Sequence, residues 1–143
     1  MTFTKLSDER HALSVVRADQ SVDHIELDSR SFLRHDLAHF AVEVELEIRH
    51  GFWGSVAAGA ALDGTALDGD QLSLAEEIAG PMQTMMRLNA DPDMIRSVLD
   101  RVAPELSSDE AARRIHERLR HLRGRWRATP YRGEMTLSWP DQR

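Results

Sequence analysis

Cysteine is missing from all 143 residues. Its absence excludes disulfide frameworks, thiolate zinc sites, iron–sulfur clusters and thiol nucleophiles together. Lysine is nearly missing: Lys5 stands alone among 18 basic residues, so arginine carries the positive charge. No apolar run approaches the ~18 residues that cross a bilayer. The opening Met1-Thr2-Phe3-Thr4-Lys5-Leu6 lacks the basic-then-apolar pattern of a secretory leader. A soluble cytoplasmic protein with no membrane partner is therefore expected. The phosphate-cradling G-x-x-x-x-G-K-[ST] loop, the G-x-G-x-x-G fingerprint and the G-x-S-x-G nucleophile elbow are also absent, so nucleotide cofactors and serine hydrolysis find no support.

What is present suits a single domain over 1–143, with 41% hydrophobic and 29% charged residues. A chain of this size buries roughly two-thirds of the surface its unfolded form exposes, so it needs no metal or disulfide merely to fold. The net charge of −6 is unevenly placed. Residues 111–143 carry nine arginines against three acids, whereas residues 1–110 carry nine basic residues against 21 acidic ones. An acidic body with a basic tail can satisfy itself internally or attract an anionic partner.

The first third reads as strand. Residues 3–6, 11–17 and 22–27 are separated by the polar segments 7–10 and 18–21, spacings that suit consecutive antiparallel pairing. Asp28, Ser29 and Ser31 offer N-caps for a long helix over 32–49, with Leu33, Leu37, Phe40, Ala41, Val44 and Ile48 on one stripe. Gly51-Phe52-Trp53-Gly54 should break it, and residues 55–62 suit a tightly packed helix. The loop over 63–70 echoes Ala-Leu-Asp-Gly but lacks the Asp/Asn spacing of a calcium loop. A helix over 72–88 carries Leu74, Ile78, Met82, Met85 and Met86, and Gly80-Pro81 should kink or split it. Asp91-Pro92 opens a helix to 102. The capping-box spacing of Ser107 and Glu110 opens another to 123, which Gly124 should stop. Residues 134–139 alternate as a closing strand. The expected fold is α+β: a short antiparallel sheet, made of the N-terminal ribbon and the C-terminal strand, covered by four or five helices. The methionines read as core filler, with Met94 among them, or as a pocket wall or dimer surface.

The most informative stretch is Ser31-Phe32-Leu33-Arg34-His35-Asp36-Leu37-Ala38-His39-Phe40-Ala41-Val42-Glu43. On a helix, His35 and His39 stand one above the other, and His35, Asp36, His39, Glu43 and Glu47 share about 120° of arc beside the apolar stripe. Two imidazoles at this spacing can bind one divalent cation at ~2.0–2.1 Å, zinc being favoured. His35, His39 and Glu43 are the expected ligands. Asp36 is the expected catalytic base, or else the partner that fixes an imidazole tautomer. His11 and His24 are candidate further ligands; His50 lies too far along a straight helix. The same imidazoles can instead form a structural or acid–base cluster with Asp28, Glu43 or Glu47, or have no role.

His35-Asp36-x-x-His39 resembles a variant of the H-E-x-x-H motif of zinc metallohydrolases, with an aspartate in place of the general-base glutamate. The His35-Asp36 pair is also similar to that of the HD-type phosphohydrolases, whose domains are wholly helical; the strands expected here argue against that likeness. The run from Ser31 to Glu43, with His50-Gly51-Phe52-Trp53-Gly54, resembles a segment of small bacterial proteins of unassigned function. That resemblance covers residues 29–60 and implies no activity.

A second feature is the arginine-rich helix over 113–127. Ile115, Leu119, Leu122 and Trp126 form a narrow apolar seam flanked by arginines. Arg113, Arg120, Arg123 and Arg127 are candidate anion-binding residues, and Trp126 and Tyr131 are available for stacking. The plainer reading docks the seam on the core and pairs the arginines with the acidic body. Two functions follow. One is a metal-binding protein or metal-dependent hydrolase with a small-molecule substrate. The other is a non-enzymatic binding module, expected to be homo-oligomeric, whose arginines meet an anionic partner, either a nucleic acid or an acidic protein. A pI near 5.6 makes nucleic acid the less favoured of those partners.

Overall fold

The computed structural model describes residues 1–63, 68–89 and 91–139. Three N-terminal strands, β1 (Thr2–Lys5), β2 (Arg10–Val16) and β3 (Val22–Asp28), pair in sequence, and β4 (Glu134–Thr136) joins the free side of β1. The sheet is antiparallel throughout, in the order β3-β2-β1-β4. Its two faces differ because side chains alternate along each strand. Phe3, His11, Leu13, Val15 and Met135 are buried. The other face carries polar pairs: Ser14 with His24, Arg10 with Glu26, and Thr2 with Thr136.

Five α-helices among the described residues complete the α+β fold: α1 (Arg34–Glu45), α2 (Phe52–Ala57), α3 (Asp70–Leu88), α4 (Pro92–Val102) and α5 (Asp109–Ala128). Helix α1 packs against both α3 and α5. Its Leu37, Ala38, Phe40, Ala41 and Val42 are each at most 1% exposed. Helix α5 docks through Ile115, Leu119 and Leu122, as its seam predicts. Arg114 and Arg118 both reach Glu45, tying α5 to α1. None of these helices is long and apolar enough to cross a membrane.

The local departures from expectation have identifiable causes. A π-helical turn, Ser29–Leu33, precedes α1, and Asp28 caps that turn by accepting from the Arg30 N–H. Helix α1 ends at Glu45, where Glu47 turns left-handed (φ 56°) and sends Ile48 back into the core. Helix α2 starts at Phe52 rather than after Gly54, because a carboxylate from α1 receives its first amides. Helix α3 runs unbroken through Gly80-Pro81. The carbonyl that Pro81 leaves without a donor belongs to Glu77, an exposed residue, where water can serve it.

Helix α5 starts one residue later than the capping box implies, with Ser108 accepting from the Ala111 N–H. It passes Gly124 because Trp126 lies beyond, with its edge on His11 and Lys5 over its ring. The Asp91 cap of α4 is as expected. Met82 and Met86 are buried, but Met94 is 45% exposed and not core. Residues 64–67 of the loop that carries the Ala-Leu-Asp-Gly echo lie outside the described residues.

Candidate metal centre

Helix geometry sets up the site. His35 and His39 are one turn apart on α1, and their ring centroids stand 4.5 Å apart. A carboxylate holds each ring at Nδ1: His35 donates to Asp36 Oδ1 at 3.0 Å, and His39 to Glu43 Oε1 at 2.9 Å. Both Nε2 atoms then face Glu76, brought in by α3. They lie 3.4 Å (His35) and 3.1 Å (His39) from its Oε1. Donor atoms sharing a tetrahedral ion at ~2.0–2.1 Å stand about 3.3 Å apart, so these separations suit a common cation. The three residues offer donor atoms that all lie within 4.8 Å of one another. His39 Nε2 is buried without an aligned hydrogen bond, because the nearby Glu76 oxygen lies off its N–H direction.

Glu43 is the structural hinge of this arrangement, and it corrects one expectation. Its carboxylate is buried and fully engaged: besides His39, Oε1 accepts the Phe52 N–H at 2.6 Å, and Oε2 accepts the Trp53 N–H at 3.0 Å. It therefore caps α2 and orients His39, and it does not join the converging donors; Glu76 takes that place. Gly51 makes room for it. A Cβ there would sit 2.4 Å from Glu43 Cδ, although its φ of −79° would suit any residue. At Gly54 a Cβ would meet the Arg49 carbonyl oxygen at 1.8 Å, so α2 can cross this turn only without a side chain.

Asp36, expected as base or as tautomer-fixing partner, lies beside His35. Its Oδ1 is tied to His35, its backbone carbonyl accepts the Trp53 indole N–H at 2.9 Å, and its Oδ2 is buried without a hydrogen bond. Its contact with His35 is the geometry that the tautomer-fixing alternative calls for. Glu47 lies outside α1 and is exposed, so it leaves the row. His11 is buried against Phe3 with Nδ1 on Ser29 Oγ, His24 pairs with Ser14 on the open sheet face, and His50 is exposed. None of these three joins the group formed by His35, His39 and Glu76.

Charge is strongly coupled here. Burial disfavours a charged His39, but its contacts with Glu43 and Glu76, and their negative charges, outweigh that and push the ring up to about 9. The His39 contact, acting against partial burial and helped by the charges of His39 and His35, holds Glu76 down to about 2. In the metal-free protein the buried His39 is therefore an imidazolium and the half-exposed Glu76 a carboxylate at neutral pH. A cation would replace the proton.

The centre opens through His35 and Glu76 into a cleft of about 470 Å³. Ile25, Leu27, Phe32, Phe52, Leu62 and Leu72 give it largely apolar walls, and Asp36 and Asp63 also line it. Phe52 packs its ring on both imidazoles, at 5.8 Å and 5.7 Å.

Glu76 was not legible as a ligand from the Leu/Met pattern of its helix. The signal lay in Ala75 and Ala79, both fully buried. Measured from Ala75 at ~100° per residue, Glu76 borders the packed face whereas Glu77 points away.

The arginine helix divides into two groups. Arg113 pairs with Glu110 and Glu117, Arg114 and Arg118 pair with Glu45, and Arg125 donates to the Thr136 carbonyl. Of the four expected anion-binding residues, Arg113 is thus already paired. Arg120 lines a neighbouring groove, and Arg123 and Arg127 line a pocket of their own. Compared with protein-family models, with curated proteins and with solved structures, the chain matches none.

Proposed function

We propose that His35, His39 and Glu76 bind one divalent transition-metal ion, zinc by preference, and that the protein is a small metal-dependent hydrolase. The observation that carries this reading is the paired orientation of the rings. Two carboxylates tie down the Nδ1 atoms while both Nε2 atoms face a single carboxylate on another helix. Carboxylate–histidine pairs of this kind fix the tautomer that ligates and raise the basicity of the ligand nitrogen. A purely structural cluster has no need to aim two imidazole nitrogens, one of them buried, at one carboxylate.

Two histidines and one glutamate are three protein ligands, the set of a catalytic centre that keeps a position open, whereas structural zinc sites are closed by four. The bound metal would supply Lewis acidity at the floor of the cleft. Asp36 and Glu43 hold the ligand rings, the apolar walls exclude water around a small substrate, and Asp63 also lines the cleft. The likeness to H-E-x-x-H extends to the two histidines and a glutamate from a second helix, but Asp36 does not take the base's place.

The test is metal analysis of untagged protein after zinc loading and desalting. A single bound ion is expected, lost in His39→Ala and Glu76→Ala and kept in Glu77→Ala, whose side chain points outward. Hydrolysis of a panel of small chromogenic esters, amides and phosphates should follow metal content across these variants. Wild-type protein that retains no metal would refute the site. So would a Glu76→Ala variant that holds as much as Glu77→Ala. Full metal occupancy without turnover of any of these substrates would leave a metal-binding protein and refute the hydrolase assignment.

A further inference from the structure

A pocket of about 250 Å³ lies between the start of α1, the end of α3 and the last turns of α5, and it shares no lining residue with the metal cleft. Arg34, Arg87, Arg123 and Arg127 converge on it from these three helices. Its single carboxylate, Asp8, accepts a hydrogen bond from the Tyr131 hydroxyl. Arg30, at the rim, is paired with Glu9.

The four converging arginines are unlike Arg113, Arg114 and Arg118 of α5, which face carboxylates. Among the described residues no carboxylate pairs with Arg34, Arg87 or Arg127, and Arg123 donates only to the neutral Asn89 side chain. This happens in a chain with six more acidic than basic residues, where Arg113, Arg114 and Arg118 of α5 are each matched to a carboxylate. The crowding has an electrostatic signature: burial, Arg127 and Arg34 all lower the affinity of the Arg123 guanidinium for its proton. Like charges gathered around a recess raise the energy of the empty state, and an anion held by several guanidinium forks relieves it.

The pocket adjoins a groove of about 340 Å³. The two share Met86 and Arg123, and Met85, Ile95 and Leu119 line the groove. Concentrated positive charge at one end, and at the other a groove whose apolar side is Met85, Met86, Ile95 and Leu119 and whose polar side is Asn89, His116 and Arg120, suit an anion that carries an organic group. A phosphate monoester fits: it bears about −1.5 to −2 charge at neutral pH and presents three acceptor oxygens to converging arginines.

We propose that this pocket binds a phosphate monoester, with Arg34, Arg87, Arg123 and Arg127 around the phosphate and the Met86–Leu119 groove taking its organic group. The site is independent of the metal centre.

Calorimetric titration of the metal-free full chain with phenyl phosphate, inorganic phosphate and succinate, at matched ionic strength, tests it. Saturable binding of phenyl phosphate is expected, at least several-fold tighter than inorganic phosphate and succinate. An Arg87→Gln/Arg127→Gln double variant should lose at least tenfold in affinity with its circular dichroism unchanged. His39→Ala should bind as the wild type does, which separates this site from the metal centre. Three results would overturn the proposal: no saturable binding, equal affinity in the double variant, or succinate binding as tightly as phenyl phosphate. Equal affinities for phenyl phosphate and inorganic phosphate would overturn the groove's part in it.

Discussion

Replacing Glu43 tests the centre and the fold at one position. The carboxylate is 1% exposed and accepts three hydrogen bonds, from His39 Nδ1 and from the Phe52 and Trp53 amides. Glu43→Gln preserves the shape but exchanges one acceptor oxygen for an NH2 donor. With the amide oxygen at the Oε1 position, the His39 and Phe52 bonds survive and only the Trp53 N–H faces a donor. The reverse orientation loses two bonds, so the first should prevail. One buried donor left unsatisfied costs about 1–3 kcal/mol. The charge beside His39 also disappears, so its ring should titrate lower.

Glu43→Ala goes further, orphaning all three donors and opening a cavity. It should cost about 3–5 kcal/mol, a large share of the ~5–15 kcal/mol that holds a domain of this size together. Urea denaturation measures the stability loss, NMR titration of the His39 ring measures the second effect, and zinc affinity should fall about 10–100-fold in Glu43→Gln. A Glu43→Gln variant within 0.5 kcal/mol of wild type, with an unmoved His39 titration, would refute the account of Glu43 as cap and orienter.

Two further outcomes follow from the same contacts. Gly51→Ala is conformationally permitted at φ −79°, yet its Cβ would lie 2.4 Å from Glu43 Cδ. It should therefore lose stability and bound metal together, in denaturation and metal analysis, whereas Gly124→Ala, with nothing within 4 Å, should not destabilise the protein. The metal-free protein should also respond to pH in a defined window. His39 is raised from 6.5 to about 9, so the stability it contributes is complete below about 6.5 and is lost as pH rises through about 9. At full value that shift corresponds to about 3 kcal/mol. Glu76 is half exposed and screened by water, so the urea midpoint should report a loss of about 1–2 kcal/mol. Glu76, lowered from 4.5 to about 2, is the same interaction seen from its partner, and it is lost as pH falls through that range. Zinc should bind more tightly as pH rises toward 9, since the proton on His39 competes with it. Flat stability between pH 6.5 and 9 would contradict the charged His39–Glu76 pair.

Periodicity and turn chemistry made much of the fold legible. Three strands with hairpin-length turns, the Asp91-Pro92 start of α4, the apolar seam of α5 and the closing strand all depend on neighbours a few residues away, and all are present. The i, i+4 placement of His35 and His39 is equally local, because 3.6 residues per turn stacks them whatever surrounds the helix. The misjudged ends were those where a distant group intervened. Glu43 starts α2 early by capping it from another helix, and Trp126 carries α5 past Gly124 by packing on β2 and Lys5.

The division runs along the same line at the two sites. Sequence alone determined that two imidazoles share a helix face with carboxylates beside them, since those relations are fixed within one turn. Tertiary structure decided which carboxylates orient and which converge: Glu43 turns to the α2 amides, and packing of Ala75 and Ala79 brings Glu76 opposite the rings. It also decided which arginines are matched and which gather around the second pocket. Both outcomes depend on the relative placement of helices far apart in the chain, and residue spacing carries no information about that.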